Sequence, residues 1–358
     1  MSNFDTTHPC PAVEGPPMPV LTEADYPSTT LHTTLVKALT TRRPSGGKGE
    51  AEFAAWLCNR LPVTMLDTAG NIHVDLRSLP RHTTLFTAHL DTVHWVEGAN
   101  TVRVDGDTWR ADPESRQCLG ADDGAGVALL CHMIAEGVSG YYIFTRGEEC
   151  GGVGAKALAE DMPELLQEFD RAVAFDRGGR GDVITRMFSG QVCSQEFATA
   201  LAAQLGGDYA PCPHGSYTDT AEFAGIIPEC TNVSVGYANQ HGDGESLYLP
   251  HLVRLSSAVL AVQWDSLPVK RWPQEEGCEI LTTVPDDDSC VLKWAIEDYI
   301  SRDDTTLLPE LLAENLCPGG RVDPRRLTAA RLTDALDRLK SGWTATWVMD
   351  DLNEEILR

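Results

Sequence analysis

Histidine and carboxylate residues recur in this sequence directly after short apolar runs. His89 and Asp91 follow the run TLFTA, Asp176 ends the run AVAFD, and His241 comes shortly after NVSVGY. Two acidic pairs lie between them in glycine-rich stretches: Asp122 and Asp123 in CLGADDGAG, and Glu148 and Glu149 in FTRGEECGG. Any one of these groups alone is typical of a helix cap or a solvated loop. Together, imidazoles and carboxylates in this number suit two zinc ions that share a bridging carboxylate.

The elements that must position these groups alternate between strand and helix patterns. Strands are predicted at 71–76, 84–89, 141–145, 172–176 and 232–237. Helices are predicted at 31–42, 47–61, 126–137, 154–162, 195–205 and 251–267. Strands that are apolar throughout and alternate with helices predict an α/β fold, a three-layer αβα sandwich around a mostly parallel mixed sheet. In such a sheet, ligands bind beyond the carboxyl ends of the strands, where the groups above would gather.

The composition excludes several classes of partner. Lys and Arg number 28 against 53 Asp and Glu, a net charge of −25, which argues against binding nucleic acid or anionic lipid. No window reaches the roughly 18 apolar residues of a membrane span, and the first residues lack a signal-peptide pattern. The eleven cysteines form no CxxC pair. These features favour a cytoplasmic protein that binds neither membrane nor nucleic acid.

The chain divides into three predicted segments. Residues 1–28 are proline-rich and predict an irregular N-terminal arm. Residues 29–267 carry the strand and helix alternation and every group named above. The composition changes near residue 268, and 268–358 is predicted to be a small, mainly helical C-terminal extension with amphipathic stretches such as LTAARLTDALDRLK. Whether that extension covers a cleft or serves another contact stays open, as does the oligomeric state.

Five short motifs resemble those of one enzyme superfamily. The stretches HLDTV, LGADDGAG, FTRGEECGGVGA and AFD, with a late Gln-His and a Glu four residues on, are similar to the co-catalytic zinc exopeptidases. That superfamily includes peptidase T and the M20, M28 and M42 peptidases. The resemblance spans residues 31–265. Asp176 and His241 are only 65 positions apart, which leaves no room for the lid domain of many M20 enzymes, so the layout resembles M28.

The resemblance implies a metal-ligand set. His89 and Asp176 would bind one ion, Glu149 and His241 would bind the other, and Asp122 would bridge the two. The implied cofactor is two Zn²⁺ ions, with Co²⁺ or Mn²⁺ as alternatives. This ligand set would explain why a strand ends at His89, because its imidazole must meet a metal there.

The resemblance also implies the groups that act on the substrate. Glu148 matches the general base, which takes a proton from a zinc-activated water and passes it to the leaving amine. Asp91 would orient the ring of the first histidine ligand. A residue that polarises the scissile carbonyl must replace the histidine of the missing lid. Tyr217 is the candidate, with Tyr209 and His214 as alternatives.

Three functions remain open at this point. The first is a metallopeptidase, an exopeptidase of aminopeptidase type that hydrolyses short peptides. The second is an amidohydrolase that deacylates N-acyl amino acids or another small amide, and the third is a non-catalytic binding protein that retains the fold. Recognition of a free amino end would need an acidic residue near the metals. Four residues qualify by position: Asp123, Asp219, Asp243 and Glu245.

Overall fold

The computed structural model describes residues 29–78 and 83–273. The strands of this part are β1 (Thr41–Arg42), β2 (Met65–Leu66), β3 (Ile72–Asp75), β4 (Thr84–His89), β5 (Gly98–Ala99), β6 (Val102–Asp105), β7 (Thr108–Ala111), β8 (Tyr141–Thr145), β9 (Arg171–Arg177), β10 (Asp182–Ile184), β11 (Arg186–Met187), β12 (Gly190–Gln191), β13 (Ala210–Cys212), β14 (Glu229–Ser234), β15 (Tyr237–Ala238) and β16 (Ser246–Tyr248). Its helices are α1 (Thr30–Leu39), α2 (Lys48–Cys58), α3 (Ala121–Ala135), α4 (Val153–Asp161), α5 (Pro163–Leu166), α6 (Gln195–Leu205), α7 (Thr220–Phe223) and α8 (Leu249–Ala261).

The central sheet has eight strands in the order β13-β10-β14-β9-β4-β8-β3-β2. Its four middle strands, from β14 to β8, run parallel to one another. Strands β10 and β3 flank them in antiparallel orientation. The predicted mixed sheet is therefore confirmed, and the carboxyl ends of its four parallel strands meet at one edge. His89 ends β4 at that edge.

Helices cover both faces of this sheet. Side chains alternate along β4, so Phe86 and Ala88 belong to a core that also contains residues of α1, α3, α6 and α8. Leu85 points to the opposite face, where a second core contains residues of α4, α5 and α7. Two apolar cores separated by one sheet confirm the three-layer αβα sandwich.

A second, smaller sheet lies beside this sandwich and was not predicted from the sequence. Its four antiparallel strands have the order β15-β16-β7-β6. The loop between β15 and β16, residues 239–245, contains His241. The smaller sheet therefore fixes both ends of the loop that carries one candidate metal ligand.

Most predicted elements exist, and their ends differ from the prediction in a few places. The strands at 84–89 and 141–145 and the helix at 195–205 have the predicted bounds. The helix predicted at 31–42 ends at Leu39, because Thr41 and Arg42 pair with β5. The strand predicted at 232–237 spans Glu229–Ser234, and the helix predicted at 251–267 ends at Ala261. The helix predicted at 126–137 corresponds to α3, whose bounds are Ala121–Ala135 but whose residues Asp122 and Asp123 have non-helical backbone angles.

Residues 268–273 at the end of the described part pack against the sandwich. The buried carboxylate of Glu229 accepts hydrogen bonds from the backbone amides of Lys270 and Arg271, at 2.6 and 2.9 Å. We call these three residues the C-terminal anchor. The predicted arm 1–28 and residues 274–358 of the predicted extension lie outside the described residues. Within the described ranges, no helix has the length and hydropathy needed to cross a membrane.

Candidate metal centre

The first group of candidate ligands forms around His89. Its Nε2 atom lies 3.0 Å from Oδ1 of Asp122 and 3.4 Å from Oδ1 of Asp176. His89 ends β4, Asp176 lies near the end of the neighbouring parallel strand β9, and Asp122 begins α3. Three elements that are distant in sequence thus bring one imidazole and two carboxylates together at the sheet edge.

The second group forms around His241. Its Nε2 atom lies 3.1 Å from Oδ2 of Asp122 and 3.2 Å from Oε2 of Glu149. Asp122 therefore faces one imidazole with each of its two carboxylate oxygens. Three ligand atoms of His89, Asp122 and Glu149 also lie within 4.8 Å of one another, close enough to hold one ion. All five predicted ligands are in one cluster.

The backbone of His241 is unusual for a residue with a side chain. Its φ angle is 64°, in the left-handed region that non-glycine residues seldom occupy. Such conformations persist where the surrounding structure imposes them, and they concentrate at functional sites. Here the loop between β15 and β16 imposes the conformation that aims the ring at Asp122.

Asp122 is held in place by a buried carboxylate, Glu245, which the sequence offered only as a candidate for binding a free amino end. Oε1 of Glu245 accepts a hydrogen bond from the backbone amide of Asp122, and Oε2 accepts one from Gly120, both at 2.9 Å. The side chain of Glu245 is therefore fully engaged in fixing the start of α3, where Asp122 and Asp123 have non-helical backbone angles. The Asp122–Asp123 peptide bond is cis.

Asp176 is also fixed on both oxygens. Tyr237 donates its hydroxyl to Oδ1 at 3.0 Å, and Thr218 donates its hydroxyl to Oδ2 at 2.7 Å. Both donors are buried. The sequence reasoning missed Tyr237, because its only signal was one aromatic residue at the end of an apolar run.

Asp91 contacts residues 147–149, which we call the glutamate loop, more closely than it contacts the ring of His89. Its Oδ1 atom lies 3.6 Å from Nδ1 of His89, which is longer than a normal hydrogen bond. Its two oxygens accept hydrogen bonds from the backbone amides of Gly147, Glu148 and Glu149, at 2.8, 3.1 and 3.3 Å. Asp91 therefore positions the loop that carries both adjacent glutamates.

Glu148 stands beside the ligand cluster without joining it. Its Oε2 atom lies 4.0 Å from Nε2 of His89, and its side chain lines a cavity of about 410 Å³ together with Asp122, Glu149, Asp176 and His241. Burial, reinforced by the charge of Asp176, raises the pKa of Glu148 well above its usual value. A carboxylate in this position can exchange a proton with a molecule in the cavity.

The cluster contains three carboxylates, those of Asp122, Glu149 and Asp176, but only two imidazoles that could balance their charge. Burial raises the pKa of Glu149 and of Asp176, and the charge of Asp122 adds to both shifts. Burial opposes ionisation of Asp122 too, but its contacts with His241 and His89 outweigh that effect and lower its pKa.

Two buried atoms of the cluster also have no hydrogen-bond partner within the described residues. These atoms are Oε1 of Glu149 and Nδ1 of His89. Buried polar atoms are normally paired, so unpaired ones call for an explanation. Nδ1 of His89 faces Asp91, but a donor set of imidazoles and carboxylates with an unpaired oxygen on Glu149 fits divalent cations such as zinc.

Asp123 also approaches one ion position, but its oxygens serve the backbone. Ligand atoms of Asp123, His89 and Asp176 lie within 4.8 Å of one another. However, the two carboxylate oxygens of Asp123 accept hydrogen bonds from the amides of His89 and Gly126, at 3.2 and 2.9 Å. Its geometry therefore favours a structural role next to the ligands.

Of the three candidates for polarising a carbonyl, Tyr217 alone lines the cavity. Its hydroxyl donates to Oε1 of Glu222 at 2.8 Å and packs against Gly152. A Cβ atom at Gly152 would lie 1.8 Å from the Tyr217 oxygen, so only glycine permits this approach. Tyr209 instead donates its hydroxyl to the carbonyl of Ser234.

None of the four candidate acids for binding a free amino end lines the cavity. Asp123 and Glu245 hold backbone amides, as described above. Asp219 accepts a hydrogen bond from the Thr145 hydroxyl, and burial raises its pKa to about 7. Asp243 lies exposed in the loop after His241.

Part of the cavity lining comes from a hairpin that was not predicted from the sequence. Strands β11 and β12 pair in antiparallel orientation, and Met187 and Phe188 of this hairpin line the cavity next to Ile184. Phe188 donates its backbone amide to the carbonyl of Ser216 at 3.0 Å, which ties the hairpin to the segment carrying Tyr217. The cavity lining therefore combines acidic side chains with apolar ones.

No protein-family model and no curated protein matches this sequence. Solved structures do share its fold. Aminopeptidase PepT from Bacillus cereus aligns with a TM-score of 0.55 and 15% identity, over 66% of this chain and 97% of that chain. A tripeptidase from Staphylococcus aureus aligns with a TM-score of 0.51 and 16% identity, over 65% of this chain and 96% of that chain. At these identities the likeness concerns the fold.

Proposed function

We propose that this chain is a dinuclear metallopeptidase, an exopeptidase that hydrolyses short peptides. The observation that carries the proposal is the position of Asp122, whose two oxygens each face a different imidazole while each imidazole has a further carboxylate beside it. This is the donor arrangement that two adjacent cations with one bridging carboxylate require. The fold shared with an aminopeptidase and a tripeptidase supports it.

The five ligands divide between two ions. His89 and Asp176 would hold one ion, His241 and Glu149 the other, and Asp122 both. When bound, the ions activate a water molecule and polarise the carbonyl of the scissile bond. Zinc is the proposed metal, and cobalt or manganese could occupy the same donors.

The remaining side chains move protons and fix geometry. Glu148 accepts the proton of the attacking water and delivers it to the leaving amine, which its place on the cavity wall supports. Asp91 holds the backbone of the glutamate loop, and it thereby keeps the Glu148 side chain from acting as a metal ligand. The Tyr217 hydroxyl gives up its hydrogen bond to Glu222 and donates instead to the carbonyl oxygen of the scissile bond.

An amidohydrolase acting on N-acyl amino acids is the second candidate. The observation in its favour is that no acid outside the proposed ligands and Glu148 lines the described cavity, so no separate group is ready to bind a free amino end. The same cation pair and Glu148 would serve that reaction.

A substrate panel tests the proposal and separates the two candidates. Protein stripped of metal and reloaded with zinc, cobalt or manganese is offered dipeptides, tripeptides and N-acetyl amino acids, with Glu148→Gln as the inactive control. The proposal predicts hydrolysis of free peptides by the loaded wild type alone. Hydrolysis of N-acetyl amino acids alone would favour the second candidate, and no hydrolysis of any compound would contradict both.

A further inference from the structure

The cavity beside the candidate metals contains two cationic side chains, Lys156 and Arg177. The guanidinium of Arg177 is already engaged: its Nε atom lies 3.2 Å from Oδ2 of Asp182, and another of its nitrogens donates to the carbonyl of His214 at 2.9 Å. The guanidinium of Arg177 is therefore already paired with other groups of the protein.

Lys156 differs, because its side chain is exposed and, within residues 29–78 and 83–273, its ammonium forms no ion pair or hydrogen bond. Its neighbour one turn on, Glu160, is exposed and does not approach it. Lys156 lies in the first turn of α4, where a positive charge is unfavourable because of the helix dipole. An unpaired cation in an unfavourable position, on the wall of a cavity, is placed to bind an anion.

The position of Lys156 relates it to the glutamate loop. Its Nζ atom lies 4.0 Å from the point where a Cβ atom of Gly151 would be, and Gly151 lies two residues beyond Glu149. Two residues span at most about 7 Å. An anion bound at Lys156 is thus only a few residue lengths from the proposed metal ligands.

We propose that Lys156 binds the carboxylate of the substrate's carboxyl terminus, and so selects peptides in which that terminus lies one or two residues beyond the scissile bond. This inference rests on the proposed function, and it names the substrates as dipeptides and tripeptides with a free carboxyl end. Such a carboxylate is ionised at neutral pH, because its pKa is about 3.5. In a chain with a net charge of −25, a local cation is needed to attract it.

The test compares trileucine with its carboxamide, which differ only in the charge of the carboxyl end. With zinc-loaded wild type, we expect kcat/KM to be about tenfold higher for the acid, the value of one charge-assisted hydrogen bond at a partly solvated site. Lys156→Met should reduce the ratio to about one through a higher KM for the acid, because a contact present in ground and transition states changes KM rather than kcat.

Two variants complete the design. Lys156→Arg should retain the preference for the acid, since the cation remains. Lys48→Met is the matched control: this lysine is also in the first turn of a helix and is exposed, but it does not line the cavity. It should keep the tenfold ratio.

The outcomes separate this inference from the function on which it rests. Equal kcat/KM for acid and carboxamide in the wild type would overturn the role of Lys156 and leave the peptidase intact. A tenfold ratio that persists in Lys156→Met would also overturn it. No hydrolysis of either peptide by the zinc-loaded wild type would contradict the peptidase proposal itself, and the role of Lys156 with it.

Discussion

Two buried glutamates of this chain have opposite surroundings. Glu229, in the C-terminal anchor, accepts hydrogen bonds from the amides of Lys270 and Arg271 and from both the amide and the hydroxyl of Ser194. Glu149, in the candidate metal centre, has one oxygen beside His241 and another with no hydrogen-bond partner within the described residues. A buried carboxylate whose oxygens all have hydrogen-bond donors is structural, whereas one with an unpaired oxygen is a candidate ligand for a cation.

The largest expected effect concerns Glu148, the proposed general base. Glu148→Gln should lower kcat about 10²- to 10⁴-fold and leave the metal content unchanged, because the amide retains the shape of the side chain but cannot accept the proton. Steady-state kinetics and metal analysis of the same sample check this. Glu160→Gln, an exposed substitution in α4, is the control. Near-normal turnover by Glu148→Gln would remove Glu148 from the mechanism.

The candidate ligands could be proposed from the sequence through the motif resemblance, and two of them also lie at the ends of strongly patterned strands. His89 ends a buried strand and Asp176 nearly ends the next parallel one, so the sheet itself brings them together. Glu245 could not be assigned, because its function depends on contacts with Gly120 and Asp122, more than a hundred residues away.

The apolar part of the cavity lining could not be predicted for a different reason. Strands β11 and β12 have two residues each, too few for any periodicity to appear in the sequence. The sequence positions of Asp123 and Glu245 also could not show that their carboxylates accept hydrogen bonds from backbone amides.

The comparison of the two glutamates predicts opposite changes in stability. In metal-free protein, Glu229→Gln should lower the free energy of unfolding by about 2–4 kcal/mol, since the amide nitrogen would face donors and leave them unpaired. Glu149→Gln should leave this free energy unchanged or raise it, because it removes a buried carboxylate that has one oxygen without a hydrogen-bond partner. Urea denaturation of both variants measures the difference. Equal destabilisation by the two substitutions would contradict the distinction.

Zinc should reverse the ranking of the same two variants. A ligand that binds only the folded state adds stability according to its concentration and affinity. Saturating zinc should therefore raise the unfolding midpoint of wild type and Glu229→Gln by the same amount, and that of Glu149→Gln by less. An equal shift in all three proteins would show that Glu149 does not bind the metal.

Two buried histidines extend the comparison to imidazoles. Burial lowers the pKa of both, but the charge of Asp176 and contacts with Asp122 outweigh it at His89 and raise its pKa. At His251, burial and the charges of Arg254 and Arg180 lower the pKa to about 4. His251 is instead satisfied as a neutral ring, with Nε2 3.0 Å from the Tyr209 hydroxyl.

The lowered pKa of His251 predicts a loss of stability in mild acid. Between pH 6.5 and 4 the unfolded chain binds a proton at this residue and the folded protein does not, so stability falls as the pH decreases. At pH 5 the cost is about 2 kcal/mol relative to pH 7. The metal-free His251→Gln variant should lose correspondingly less stability over that range in urea denaturation. Parallel losses in both proteins would contradict the assignment.

The number of metal ions per chain tests the central claim most directly. Wild-type protein is stripped with a chelator, reloaded in excess zinc, freed of unbound metal and analysed for zinc and protein in the same sample. The shared carboxylate of Asp122 predicts two ions per chain, and Asp122→Ala should reduce this number because both ions lose a ligand. A wild-type value that never exceeds one would contradict the dinuclear centre.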